Sequence, residues 1–406
     1  MPIYRDHLAR EFEEKQDEIA ESSFENEEVS SDFREAFRRL ISEYNREDIE
    51  KELSDMKLPG ALPTREYQEN QVGILPFEES EDWNSHEAVN RWARDQIEDV
   101  TTVAVDGSQI NPVTEFEKPV GFVQVVGISN EHTRERKYER EVMTEFLTPN
   151  DILYENPNTG QVQVDDKEVP ATRFETEMKM LEQKIENVSS RDNVPVVFYD
   201  GSMILSFISQ FDGPTQDRYG EAMARVLAAS KHYEVPVVGY VSGSKATELG
   251  KMIKNMNLVK GNRTVRDYRF LKDTMKNWGD RTILFKSKRD NTLYKLKAPF
   301  KGKEYNFSNN LLFTYLNTGL GSQLDRIEMP EWVLEEGLAE RVVSVVRAEC
   351  GIGRGYPEIL QSVDTDAVIS HQDRERFLRI CQNFAEENDI DLEWNNKSLS
   401  KRLRRR

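Results

Sequence analysis

Cysteine is nearly missing from this sequence, and histidine is scarce. Cys350 and Cys381 are the only two thiols in 406 residues, and their separation is not a metal-ligand spacing. A disulfide framework is therefore excluded, and a reduced, cytoplasmic protein is expected. The five histidines, His7, His86, His132, His232 and His371, are scattered without a motif, so Ser–His and Cys–His nucleophile arrangements find no support. No G-x-x-x-x-G-K-[ST] run occurs, which argues against a P-loop engine. Long apolar runs are absent as well. The stretch 194–199 is among the longest, contains Pro195 and is far too short to cross a bilayer. The first residues, MPIYRDHLAREFEEKQ, carry no apolar segment of the kind that heads a secretory signal.

Positive charge is in overall deficit, with a net charge of -19, yet it is unevenly placed. Residues 1–100 hold 28 acidic against 12 basic side chains, whereas residues 245–303 hold 17 basic against 5 acidic ones. A second basic cluster occupies 397–406. Local field steers a polyanion, so a basic segment in an acidic chain keeps a nucleic-acid partner open; a lysine-rich solvated face is the plain alternative.

Residues 5–55 read as two charged helices separated by the polar stretch 22–31, and 58–64 as a turn-rich connection. The division expected is an acidic helical arm and linker over 1–99, a main domain over 100–375 with a basic insertion at 245–303, and a helix end with basic tail over 376–406. The arm either packs on the domain or serves dimerisation. From residue 100 the pattern predicts strands at 101–105, 122–128 and 138–147, a hairpin near 156–160, a helix over 172–188, a strand at 194–199, further helix, a strand at 235–241 and a helix to about Met256. Short strands at 282–285, 292–296 and 311–315 and helices near 335–350 and 372–388 follow. Three early strands followed by alternating helix and strand give an α/β fold: a ribonuclease H-like mixed sheet flanked by helices, with the N-terminal arm and a C-terminal helical and strand extension.

The strongest local signal is a repeated tripeptide. VAVDGS (103–108) and VFYDGS (197–202) each set an aspartate where an apolar strand ends and a glycine turn begins. Strand ends are rigid mounts, and two such carboxylates on neighbouring strands can share a hard divalent ion, which takes oxygen ligands. Asp-Gly-Ser is also ordinary turn chemistry. The 172–188 helix offers Glu175, Glu177, Glu182 and Glu186 as a third carboxylate, and periodicity does not choose among them.

Together with GYVSGSK (239–245) and GYPxxLxxxDxxAxI (355–369), these elements resemble the NurA family over roughly residues 100–375. The resemblance implies a manganese-dependent nuclease, with Mg²⁺ as the other ion in view. It further implies single-strand endonuclease and 5′–3′ exonuclease action on single- and double-stranded DNA. A homodimer working with a HerA-type hexameric ATPase in double-strand break end resection is also implied. Residue by residue, Asp106 and Asp200 match the strand ligands. Glu177 matches the helix glutamate, with Glu182 in reserve. Tyr356 matches the late tyrosine, and Asp364 a late ligand position that other members fill with histidine or aspartate, with Asp366 competing. Lys245 is placed for a phosphate contact. No membrane partner is implied. The basic segment would hold a DNA backbone without reading sequence, and its aromatics Tyr268, Phe270, Trp278 and Tyr294 are candidates either for stacking on unpaired bases or for the core. Two other classes share parts of this pattern. An actin-like ATP-binding protein has a related sheet, but the only further glycine-rich segment here is Gly351-Ile-Gly-Arg-Gly. A catalytically silent scaffold for a motor ATPase would not need all four carboxylates.

Overall fold

The protein is described by a computed structural model covering residues 4–16, 27–390 and 392, apart from 71, 79–82, 84, 114, 134, 136–137, 157–158, 262, 290–295 and 320–323. Its frame is one mixed sheet. The strands Thr102–Ile110, Gly121–Asn130 and Tyr138–Leu147 form an antiparallel meander. On its other side Thr102–Ile110 pairs in parallel with Val196–Asp200, which in turn pairs in parallel with Val237–Val241. Counted along the chain, the order across the sheet is third, second, first, fourth, fifth, the ribonuclease H-like arrangement. The same sheet continues antiparallel through Asp325–Pro330, Leu311–Leu316, Phe285–Lys288 and Gly60–Pro63.

The β-branched runs explain the centre. Val103, Val105, Val196, Val197, Val237 and Val238 are all buried, as strands covered on both faces require. Two helices cover the meander and the first parallel strand. Glu168–Val188 carries Pro170 in its first turn, where a missing N–H costs nothing, and buries Phe174, Met178, Leu181 and Ile185 on one stripe. Glu358–Ala367 packs against the same strands.

Several elements differ from the sequence expectation. The first strand does not stop at Asp106. Gly107 and Ser108 pair with Val125 and Gln124 and the strand runs on to Ile110, because the antiparallel neighbour continues after the parallel one has ended. The helices His86–Ile97 and Glu358–Ala367 were not anticipated. The first lies between the 58–64 connection and residue 100, a stretch to which the sequence pattern assigns no element. The second is short and ends in a run of Asp and Thr with weak helix propensity. The expected strand 292–296 and the tail 397–406 fall outside the described residues, apart from Leu296, and the strand present nearby is Lys297–Phe300.

The helices Glu27–Glu43 and Arg46–Glu52 do not stand apart from the sheet. Phe33, Phe37, Leu40 and Ile49 are buried in a second core with Leu249, Met252, Phe270 and Phe313. The ring of Phe270 lies 6.0 Å from Phe33 and 5.9 Å from Phe37. Tyr268 and Phe270 are thus core residues and unavailable for stacking on bases, and Tyr294 lies outside the described residues. Part of the basic segment is likewise spent internally: Arg281 is buried against Glu66 and Glu340, and Lys286 pairs with Glu331. Phe37→Ala is expected to lower the unfolding free energy by about 3–5 kcal/mol in urea. Removing residues 1–16, whose helix Arg5–Glu14 buries no side chain, should change it by no more than about 0.5 kcal/mol.

Candidate active site

Parallel pairing fixes the first two carboxylates. Val105 stands opposite Tyr199, so one further step of the register sets Asp106 level with Asp200 at the end of the parallel pair. Asp106 is half-buried and Asp200 exposed. Gly201 follows at φ +146, a conformation that suits glycine, with its N–H donating to the Tyr240 carbonyl at 3.0 Å. Ser202 then turns inward, its hydroxyl 3.0 Å from each carboxylate oxygen of Glu328, and the Ile204 N–H donates to the same carboxylate at 3.2 Å. Glu328 is paired with Arg326 at 2.7 Å, and Arg326 with Glu248 at 2.5 Å, all three fully buried. The second Asp-Gly-Ser is therefore anchored from below by a buried ionic chain.

The third carboxylate reaches the strand ends across a missing side chain. A Cβ on Gly107 would lie 2.6 Å from Oε1 of Glu177, so only glycine lets that carboxylate come against the strand. Gly107 faces the 168–188 helix, and by strand alternation Asp106 faces the opposite side, where the 358–367 helix packs. That second helix carries Asp364, whose charge acts on both Asp106 and Asp200. Its start is pinned by the buried carboxylate of Glu349, which accepts from the Ile359 N–H at 2.9 Å and from the Thr102 hydroxyl at 2.8 Å. Carboxylates thus reach one strand end from both faces of the sheet.

The other helix glutamates are occupied elsewhere. Glu168 and Glu175 share Arg218 at 2.7–3.0 Å, Glu182 pairs with Arg225 at 2.8 Å, and Glu186 accepts from Tyr233 at 2.6 Å. Glu177 is the helix glutamate that comes against the strand bearing Asp106, while Glu182, the reserve, is held by Arg225. Asp366 pairs with Arg140 at 3.3 Å, whereas the charge of Asp364 acts on Asp106 and Asp200. Lys245 is exposed in the loop that follows Val237–Val241. His371 opens the Ser370-capped helix His371–Glu387, beside Glu375.

Electrostatics follow from this crowding. Burial pushes the Glu177 carboxyl up to about 8; Arg173 opposes the rise, while the charges of Asp106 and Asp200 add to it. Asp106 is raised mainly by lost solvation, with the Gly107 N–H opposing and Asp364 adding. Asp200 is raised for the same first reason, although the Tyr356 hydroxyl donates to it. Burial also holds the Tyr356 phenol above its ordinary range, so it stays a proton donor. Arg173, which the sequence reading passed over, is the nearby counter-charge: 3.4 Å from Glu177, with its Nη1 donating to the Gly107 carbonyl at 3.2 Å. Its place four residues before Glu177 was the available signal.

The side chains as they stand do not form a closed ligand shell: among the described residues no group of three or more His, Cys, Asp or Glu is placed to hold a metal ion. The donor chemistry nevertheless fits a hard divalent cation. It is all oxygen, rich in like charge and only partly compensated by Arg173. A carboxyl with a folded pKa near 8 and an ordinary value of 4.5 costs stability increasingly as pH rises between the two, and fully above 8. In chelator, Glu177→Gln should therefore gain on the unsubstituted chain by up to about 1.4 kcal/mol per pH unit through that window, with no gain below pH 4.5. Urea unfolding across the range checks this.

Comparison with known proteins places this arrangement. None of the curated proteins matches the chain. Among solved structures, endonuclease V from Bacillus subtilis is similar at 11% identity, over 76% of this chain and 96% of that one, with a TM-score of 0.28. At that score the likeness carries no weight, and the fold stands on its own strand register. Among the described residues no helix is long and apolar enough to cross a membrane. The family model of the NurA domain matches residues 100–369, two thirds of the sequence, and spans every element that contributes to the site. The chain belongs to the NurA family of nucleases.

Proposed function

We propose that this nuclease is dependent on a divalent cation, Mn²⁺ or Mg²⁺, and cuts DNA at the strand end where Asp106, Glu177, Asp200 and Asp364 meet. One observation carries the reading. Carboxylates from two strands and two helices are brought to one strand end: Asp106 and Asp200 stand level in the parallel register, Glu177 comes against the strand at Gly107, and the helix bearing Asp364 packs on the same strand, with Arg173 as the nearby cation. Gathering like charge at one place does not favour folding, and it suits a site that a cation completes.

The four carboxylates would hold the ion. A bound divalent cation supplies a Lewis acid that polarises the scissile phosphate and eases deprotonation of the attacking water. Asp106 and Asp200, level on rigid strands, set the positions of the donors. Asp364 and Glu177 close the site from the two faces. Tyr356 orients Asp200 through its donated hydrogen bond and remains protonated while doing so. Lys245, on the loop after the neighbouring strand, is a phosphate contact in this reading. Action on both single and double strands, with endonuclease and 5′–3′ exonuclease modes, belongs to the same proposal. So do a homodimer, a HerA-type hexameric ATPase as partner in end resection, and a cytoplasmic setting in which the two buried thiols stay reduced.

Asp106→Asn and Asp200→Asn should each lower Mn²⁺-dependent cleavage of end-labelled DNA by about 10³-fold or more, while the circular dichroism spectrum is unchanged. Full activity in either variant sinks the assignment. The labelled products give the direction of attack.

A further inference from the structure

The segment Gly351-Ile-Gly-Arg-Gly is not used by the carboxylate site, yet it leads directly into it. Its turn is tight: Gly355 N–H donates to the Cys350 carbonyl at 2.6 Å, and Gln361 binds the carbonyls of Gly353 and Tyr356 at 2.7 and 2.9 Å. Within it Arg354 stands at φ +57, a conformation that costs a residue with a side chain, and is exposed. Two residues later Tyr356 donates to Asp200. Arg354 borders a cleft of about 830 Å³ that is also lined by Trp83, Trp278, Lys276 and the start of the helix His86–Ile97.

The composition of this cleft is specific. The indoles of Trp83 and Trp278 are 5.0 Å apart, braced behind by Trp92 and Phe77, and both are partly exposed. Lys276 and Arg354 are exposed, and among the described residues neither has an ion-pair partner. A helix start adds positive potential. Partly exposed indoles beside these cations suit a base and its phosphates.

We propose that this cleft seats an unpaired nucleotide of single-stranded DNA, its base against Trp83 or Trp278 and its flanking phosphates on Lys276 and Arg354, so that the strand runs on past Tyr356 to the carboxylates. This deepens the nuclease reading and rests on it. The cleft binds by stacking and charge, so it takes a single strand in preference to a duplex, whose bases are already stacked.

Anisotropy of a fluorescein-labelled oligothymidylate, measured in chelator so that nothing is cut, tests it. Lys276→Ala with Arg354→Ala should weaken binding about tenfold or more and reduce the slope of log affinity against log salt by about 1.4, two single-strand phosphates' worth. The oligonucleotide should quench tryptophan fluorescence in the unsubstituted chain, and Trp83→Leu with Trp278→Leu should lose most of that quenching. Unchanged affinity and salt slope in the double variant overturn the cleft while leaving the carboxylate site standing. Equal affinity for a blunt duplex of the same length overturns it as well.

Discussion

Several carboxylates must be carried to the end of one parallel strand pair and kept there against their own repulsion. Lost solvation raises Asp106, Asp200 and Glu177, and charges of neighbouring aspartates add to each rise. No single element could present them all. The sheet register supplies Asp106 and Asp200 at one level, and a helix on each face supplies one more. Gly107 is the hinge of this arrangement, since any side chain there would occupy the space of Glu177 Oε1.

What holds these mounts rigid lies below them. Behind Asp200, Ser202 and Ile204 are tied to Glu328, and through Arg326 to Glu248, which also accepts from Ser287 at 2.5 Å. The Arg326 guanidinium rests 3.8 Å from the centre of the Phe313 ring. Beneath Asp364, Glu349 pins the first turn of the 358–367 helix to the start of the first strand. Buried ion chains of this kind add little net stability, but a half-broken one is costly, so they fix the loop in one arrangement. The N-terminal helices serve the same frame, covering the extension of the sheet with Phe33, Phe37 and Leu40.

Much of this was legible in the sequence. The doubled DGS after valine-rich strands announced Asp106 and Asp200, and the strand and helix order announced the sheet. The choice of helix glutamate was not legible from spacing, because it is made by Arg218 and Arg225 on another helix, which claim Glu168, Glu175 and Glu182. The same holds for Asp364 against Asp366, decided by Arg140 on a strand over two hundred residues earlier. For those two positions the residues alone left alternatives, and only the family resemblance suggested a choice. The strand through Asp106 was expected to end there, since a glycine-serine pair reads as a turn; its continuation depends on a partner strand that only tertiary pairing reveals. In the sequence Tyr268 and Phe270 fit either base stacking or the core, and the fold buries both in the core, a distinction that composition does not make.

The central claim is that these carboxylates form one cation site. Calorimetric titration of Mn²⁺ into the chain, without DNA, tests it most directly. The account predicts saturable binding that Asp200→Asn and Glu177→Gln each weaken at least tenfold in the folded protein. Binding of undiminished affinity and stoichiometry in a chain lacking Asp106, Glu177 and Asp200 carboxylates together would contradict it.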